Sequence, residues 1–197
     1  MGIITSFSLP PYNLLIINFI TFPILLLLTI SNFKSGKWTS FNIGWFFGFG
    51  YFISNIYWIT NSLTFDETFK PLIPFVFIII PLFLGIFYGI VTLASSFFKL
   101  DKNFFTILIF STIFALVEFI RGFILTGFPW NLIVYSWTNY LNSLQILSLI
   151  GTYSFNLISI TIFSLPLVIT PKLQSLFNSS NTSCSLNCFE DMFISRI

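Results

Sequence analysis

The chain has 197 residues, 56% hydrophobic, 21% aromatic and only 7% charged, with a net charge of +2 and a mean hydropathy of +0.95. Those values exclude a soluble globular domain and a disordered chain, and they predict a multi-pass membrane protein; the charge is too small to attract nucleic acid. There is no His, which removes His-ligated haem, His-bearing zinc sites and a Ser-His triad, so neither a metal site nor a cofactor is expected.

Met1 to Pro11 is uncharged and ends in Pro10-Pro11; without a basic start it does not read as a secretory signal. Met1-Gly2-x-x-x-Ser6 matches the short N-myristoylation pattern. Five apolar runs follow: Leu14–Ile30, Phe41–Ile59, Leu72–Leu93, Phe104–Phe123 and Leu147–Ile169. Each is read as a span, since about 20 apolar residues at about 1.5 Å each cross a hydrocarbon core. Pro74 and Pro81 are expected to kink the third. Gly44-x-x-x-Gly48 and Gly85-x-x-x-Gly89 put small residues one turn apart in the second and third, where they favour close helix packing. The expected fold is an all-α integral membrane bundle of about five transmembrane helices, with an interfacial loop after the fourth. Residues 1–173 form the multi-pass domain and 174–197 a polar, disordered tail. The tail holds both cysteines, Cys184 and Cys188, and two glycosylation-type triplets at Asn178 and Asn181; no disulfide framework is indicated.

The lysines set the orientation. With alternating spans, Lys34, Lys37, Lys99, Lys102 and Lys172 share one side, and Asp66, Glu67 and Lys70 lie on the other. The positive-inside rule makes the lysine side cytoplasmic, which places the N-terminus and the loop after the fourth span outside.

The most informative stretch runs from Glu118 to Ser136. Glu118 and Arg121 are three apart at the end of an apolar run, so on a helix they share a face and can pair. Ionisable residues there are costly and usually face a bundle interior or a watery cavity. Gly127-Phe128-Pro129 ends the helix, and Trp130 and Tyr135 are residue types that settle at a membrane–water interface. Two readings are open: a stabilising ion pair beside an interfacial loop, or a lipid-facing site with Glu118, Arg121, Phe128, Pro129, Trp130 and Tyr135 as its substrate-binding residues.

Glu118-x-x-Arg121-Gly122, Thr126-Gly127-Phe128-Pro129-Trp130 and Tyr135-Ser136 resemble the signature of the transmembrane half of bacterial apolipoprotein N-acyltransferases. Gly48-Phe49-Gly50-Tyr51 with Tyr57-Trp58, and Gln145 to Asn156 with Gly151-Thr152-Tyr153, resemble two further blocks of that family. The resemblance runs from about Leu9 to Ile169; Val134 and Ser154 depart from the pattern, standing where a small residue and a glycine are usual. It implies a location in the bacterial inner membrane, a phospholipid acyl donor and a lipoprotein acceptor. It also implies an extra helix before the Leu-Pro-Pro segment. In the resembled enzymes a nitrilase-like domain on the outer side carries a cysteine nucleophile. That thiol takes an acyl chain as a thioester and passes it to the amino group of a lipidated N-terminal cysteine. Such a domain needs on the order of 200 residues and is not contained in these 197, so the chain is expected to be a fragment inactive alone.

Cys188-Phe189-Glu190 is similar to the block around that nucleophile, which makes Cys188 a candidate catalytic residue. The polar run before it and the lack of room for a catalytic Glu and Lys point instead to a chance match, a frameshifted tail or a deletion. Two other functions are compatible with the residues. One is a small non-enzymatic membrane protein, such as a transporter subunit or assembly factor with the Glu118–Arg121 pair as its polar site. The other is a self-contained acyltransferase using Cys188.

Overall fold

The computed structural model describes residues 1–169 other than 33–35, 63, 66, 99, 101–102, 125–126 and 128. Lys34, Asp66, Lys99, Lys102, Phe128, Lys172, Asn178, Asn181, Cys184 and Cys188 therefore lie outside the described residues. Nine α-helices are described: α1 Gly2–Ser6, α2 Asn18–Ser31, α3 Lys37–Asn55, α4 Tyr57–Ser62, α5 Ile73–Ser95, α6 Phe104–Arg121, α7 Leu141–Ile150, α8 Thr152–Ser164 and α9 Pro166–Ile169. Short 3-10 turns cover Leu15–Ile17, Glu67–Leu72 and Ile133–Trp137. All regular structure among the described residues is helical.

Among the described residues two helices are long and apolar enough to cross a membrane: Lys70–Ser95, which contains α5, and α6. At 1.5 Å per residue α6 is about 27 Å long, close to a hydrocarbon core of about 30 Å. The other three expected spans fall short of that length or hydropathy. The first is an apolar helix from Leu15 to Ser31, within one residue of the expected Leu14–Ile30. In the second, α3 is long enough, but Thr39, Ser40, Asn42, Ser54 and Asn55 dilute its apolar character, and the chain turns at Ile56 before α4. The fifth is interrupted at Gly151, whose φ of 80° breaks the ladder between α7 and α8. Pro74 does not kink the third span: it sits in the first turn of α5, where its missing N–H has no intrahelical partner to lose. Pro81 lies inside α5, which continues through it.

The longest helix pair is α3 against α5, antiparallel and held close by glycine. A Cβ at Gly44 would stand 2.1 Å from the Tyr88 carbonyl, and one at Gly48 would stand 2.8 Å from the Tyr88 Cβ. Thr92 Oγ1 donates to Ser40 O at 2.7 Å and Trp45 Nε1 to Leu82 O at 3.1 Å. The two small-residue motifs thus act as packing stripes within one chain.

Met1 to Pro11, for which the sequence predicted no element, contributes structure of its own. α1 lies on α3 so closely that a Cβ on Gly2 would meet Phe47 O at 1.9 Å, and Gly2 is buried. Thr5, Ser6, Ser8 and Leu9 are buried with it.

The core is a stack of aromatic rings from α2, α3, α5, α6 and α8: Phe22, Phe47, Tyr51, Phe52, Tyr88, Phe114 and Phe163. Tyr88 and Phe114 approach to 4.8 Å between centroids, and Tyr51 stacks on Tyr88 at 5.8 Å. The outer surface is apolar: Phe105 is 76% exposed and Leu149 83%, with Phe46, Phe75, Ile79 and Leu116 also exposed. Polar groups, by contrast, run inward along α6, whose buried stripe Ile107, Phe110, Ser111, Phe114 continues at helical spacing into Glu118 and Arg121.

Candidate functional site

Glu118 and Arg121 end that stripe with exposures of 0% and 1%. The i, i+3 spacing brings Arg121 Nη2 to 3.6 Å from Glu118 Oε1, an ion pair longer than a hydrogen bond. The carboxylate is satisfied from two other helices: the Tyr88 hydroxyl of α5 donates to Oε1 at 2.9 Å, and Asn156 Nδ2 of α8 donates to Oε2. Arg121 Nη2 donates to the Trp130 carbonyl at 3.2 Å, and its guanidinium carbon lies 5.0 Å from the Phe52 ring centre. An isolated charge at membrane depth costs about 2.5–3.5 kcal/mol; here each charge faces its opposite and fixed dipoles.

The network also holds a loop. α6 stops at Arg121 rather than Phe123: Gly122 N–H still donates to Glu118 O at 3.0 Å, but Phe123 N–H shifts to the i−3 carbonyl of Ile120 at 3.0 Å. Gly122 is pressed against the Tyr153 hydroxyl of α8, 2.1 Å from where a Cβ would stand, and Gly127 turns the chain with φ of 79°. Beyond it, side chains from three helices grip the backbone: Arg121 takes Trp130 O, the Tyr51 hydroxyl donates to Asn131 O at 3.0 Å, and Asn156 Oδ1 accepts from Val134 N at 2.9 Å. Val134, the departure noted in the sequence, is fully buried between Leu132 and Phe155.

A cleft of about 610 Å³ opens above this loop. Its walls are the segment Ser6–Tyr12, the end of α3 with Ser54 and Asn55, Tyr57 and Trp58 of α4, and Trp130, Asn131, Tyr135 and Thr138. Trp58 and Trp130 meet edge to face at 6.0 Å. Thr138 Oγ1 donates to Asn13 Oδ1 at 3.2 Å, tying the loop to the N-terminal segment. Burial pushes the Tyr135 phenol up; the charges on Tyr153 and Glu118 add to this, and Arg121 opposes it.

The substrate-binding residues read from the sequence therefore divide. Trp130 and Tyr135 line the cleft. Glu118 and Arg121 are buried and are not among its lining residues, and Arg121 Nη2 donates to the Trp130 backbone carbonyl. Pro129 is exposed and is not part of the lining, while Phe128 and Cys188 lie outside the described residues. Three sequence blocks converge: Tyr51 from the first, the Glu118–Tyr135 stretch, and Asn156 from the third. Tyr88 was missed, although a hydroxyl between Gly85 and Gly89 in an otherwise apolar span was a usable signal.

Apolar side chains outside, a satisfied charge network inside and an aromatic cleft at one end define a helical bundle with the build of a membrane protein. The profile of the apolipoprotein N-acyltransferase N-terminal domain matches residues 1–165. The chain is 32% identical over 177 residues to an apolipoprotein N-acyltransferase of Brucella melitensis biotype 1, covering 86% of this chain and 33% of that protein. It is 34% identical over 173 residues to one of Rhodopseudomonas palustris (85% and 32%) and 33% identical over 174 residues to one of Rhizobium etli (84% and 32%). The chain belongs to the apolipoprotein N-acyltransferase family, and it spans about a third of the length of these relatives.

Proposed function

We propose that this chain is the membrane part of an apolipoprotein N-acyltransferase of the bacterial inner membrane, working in lipoprotein biosynthesis. In this reading it crosses the membrane about five times, with the loop of residues 122–140 at the outer face. It holds the phospholipid donor and the lipoprotein acceptor beside a catalytic domain that these residues do not supply. The observation that carries the reading is the coincidence of the family match over 1–165 with the converging network. The blocks that mark the family are the ones that tie the cleft wall in place. Glu118 and Arg121 serve lipid binding by fixing the wall rather than by touching lipid, Arg121 through the Trp130 carbonyl and Glu118 through Asn156, which holds Val134 N, and this joins the two readings of the pair into one.

Complementation tests this. In cells depleted of their own enzyme, the chain alone should not restore N-acylation of lipoproteins. Fused to the C-terminal two-thirds of the Brucella relative, it should. Failure of the expressed, folded fusion would remove the acyltransferase reading. Restoration by the chain alone would overturn its dependence on a second domain, and loss of that activity in Cys188→Ala would assign the chemistry to Cys188.

A further inference from the structure

The α3–α5 pair leaves a second hollow, well away from the cleft. A groove of about 450 Å³ runs between Phe41 and Trp45 of α3 and Ile79, Leu82, Phe83 and Ile86 of α5. Asn42, Ile79, Phe83 and Ile86 on its rims are exposed, so it opens to the surroundings of the bundle. Its aromatic walls are fixed from within the chain. Trp45 Nε1 donates to Leu82 O at 3.1 Å, and the Phe41 ring lies against Gly89, 2.6 Å from where a Cβ would stand. At 1.5 Å per residue the α5 wall from Ile79 to Ile86 is about 10 Å long. Helices in a membrane pack on one another through small residues. Gly44, Gly48, Gly85 and Gly89 are all taken up by the contact between α3 and α5, and the described lining of the groove holds no small residue. A further helix would meet bulky side chains there, whereas an acyl chain can bend to follow them.

Charge decides which lipid fits. Lys37, Phe41 and Trp45 stand at i, i+4 and i+8 and so share one face of α3. Lys37 is exposed, about 6 Å along the axis from Phe41. Its Nζ lies 4.3 Å from the ring centre of Phe97, two residues past the end of α5, which holds the amine between the two helices that form the groove. Among the described residues no carboxylate competes for it: Glu67 lies at the other end of α5 and Glu118 is buried in the core. The flanking sequence adds Lys34, Lys99 and Lys102 against Asp101 alone. An apolar groove with a cation at one end complements a lipid that carries a net negative head on an acyl chain.

We propose that this groove binds an anionic phospholipid of the leaflet that Lys37 faces, with one acyl chain lying between α3 and α5 and the phosphate on the Lys37 amine. The site rests on the reading of the chain as a membrane bundle and goes beyond the handling of donor and acceptor. It lies at the opposite end of α3 from the cleft: the helix begins at Lys37 and delivers Ser54 and Asn55 to the cleft wall. A lipid seated here braces that helix against α5.

The test is photolabelling of the full chain in phosphatidylcholine nanodiscs with a phosphatidylglycerol that carries a diazirine in its acyl chain, followed by mapping of the adducts. Adducts should concentrate on Phe41, Trp45, Phe83 and Ile86. Unlabelled phosphatidylglycerol should compete about fivefold better than phosphatidylcholine of the same chains, the attraction of one basic side chain near the surface. Lys37→Ala should remove most of that preference, with an unchanged unfolding temperature in lipid-free detergent, and Lys37→Arg should keep it. Ile86→Trp narrows the groove and should lower labelling there. Equal competition by the two lipids in the parent, an undiminished preference in Lys37→Ala, or adducts as dense on the exposed Phe105 and Leu116 of α6 as in the groove would each overturn the proposal. So would a groove closed to the label by a second copy of the chain, detected as a dimer in the same nanodiscs. Labelling does not pass through acyl transfer. A fusion that fails to complement while the groove keeps its lipid removes the enzyme reading alone, and a complementing fusion with an indifferent groove removes the site alone.

Discussion

Asn156 is the most exacting place to perturb the network. It is fully buried, and both ends of its amide are used: Nδ2 donates to Glu118 and Oδ1 accepts from Val134 N at 2.9 Å. Asn156→Leu keeps a side chain of similar size and improves the local helix preference, so the change isolates the polar contacts. A hydrogen bond to a charged group is worth about 1.5–3 kcal/mol, and leaving the buried Val134 N–H without an acceptor costs about 1–3 kcal/mol. The sum, allowing for overlap, is about 3–5 kcal/mol. Polar contacts between membrane helices average only about 0.6 kcal/mol, because the unfolded chain in the membrane finds other partners. The expected loss here is larger because a backbone donor held in a turn and a carboxylate are stranded together. The assay is equilibrium unfolding in mixed micelles of parent, Asn156→Leu, Glu118→Gln and the double variant. A coupling above about 1 kcal/mol is expected for residues in one network. A loss within about 1 kcal/mol, or simple additivity, would refute the view that the loop is held through this amide.

Three more expectations concern other parts of the bundle. Arg121→Ala removes the counter-charge of a buried carboxylate and should cost about 3 kcal/mol in the same assay; adding Glu118→Leu should return only part of it, since the Tyr88 hydroxyl and Asn156 amide then lose their acceptor. Gly44→Leu should separate α3 from α5, lowering stability by about 1–3 kcal/mol or more, because even a Cβ would stand 2.1 Å from Tyr88 O; an unchanged unfolding curve would contradict the close packing. The proposed orientation is checked by cysteines at Thr64, Tyr140 and Asn103, all exposed: an impermeant thiol reagent added to intact spheroplasts should modify the first two and spare the third, and the reverse pattern would invert the topology.

How much of this was legible in the sequence depended on the range of the signal. The Glu118–Arg121 pair was readable because three residues on one helix fix a distance without knowledge of any neighbour. The packing role of Gly44, Gly48 and Gly85 was readable for the same local reason, whereas α6 stops at Arg121, ahead of the Gly127 expected to end it. The partners of the pair were not. Tyr88 and Asn156 lie 30 and 38 residues from Glu118, and nothing in a one-dimensional pattern says which turn of α5 or α8 faces α6. The N-terminal segment carried no signal for a packed element, because it is short and uncharged, whereas Gly2 lets α1 settle onto α3. The fifth run was read as continuous because hydropathy does not register a single glycine with φ of 80°.

The grip on residues 130–134 also sets an order of events in time. Glu118 leaves the ribosome 38 residues before Asn156, which at about 5–20 residues per second is a wait of roughly 2–8 s. During that interval the carboxylate has only Tyr88 and its own helix to answer it, and the turn that will carry Trp130 has no acceptor for Val134 N–H. A nascent chain halted in that window has an incomplete polar centre, and the arrival of α8 closes it. The same side chain that finishes the cleft wall therefore marks the moment at which the centre of the bundle is complete.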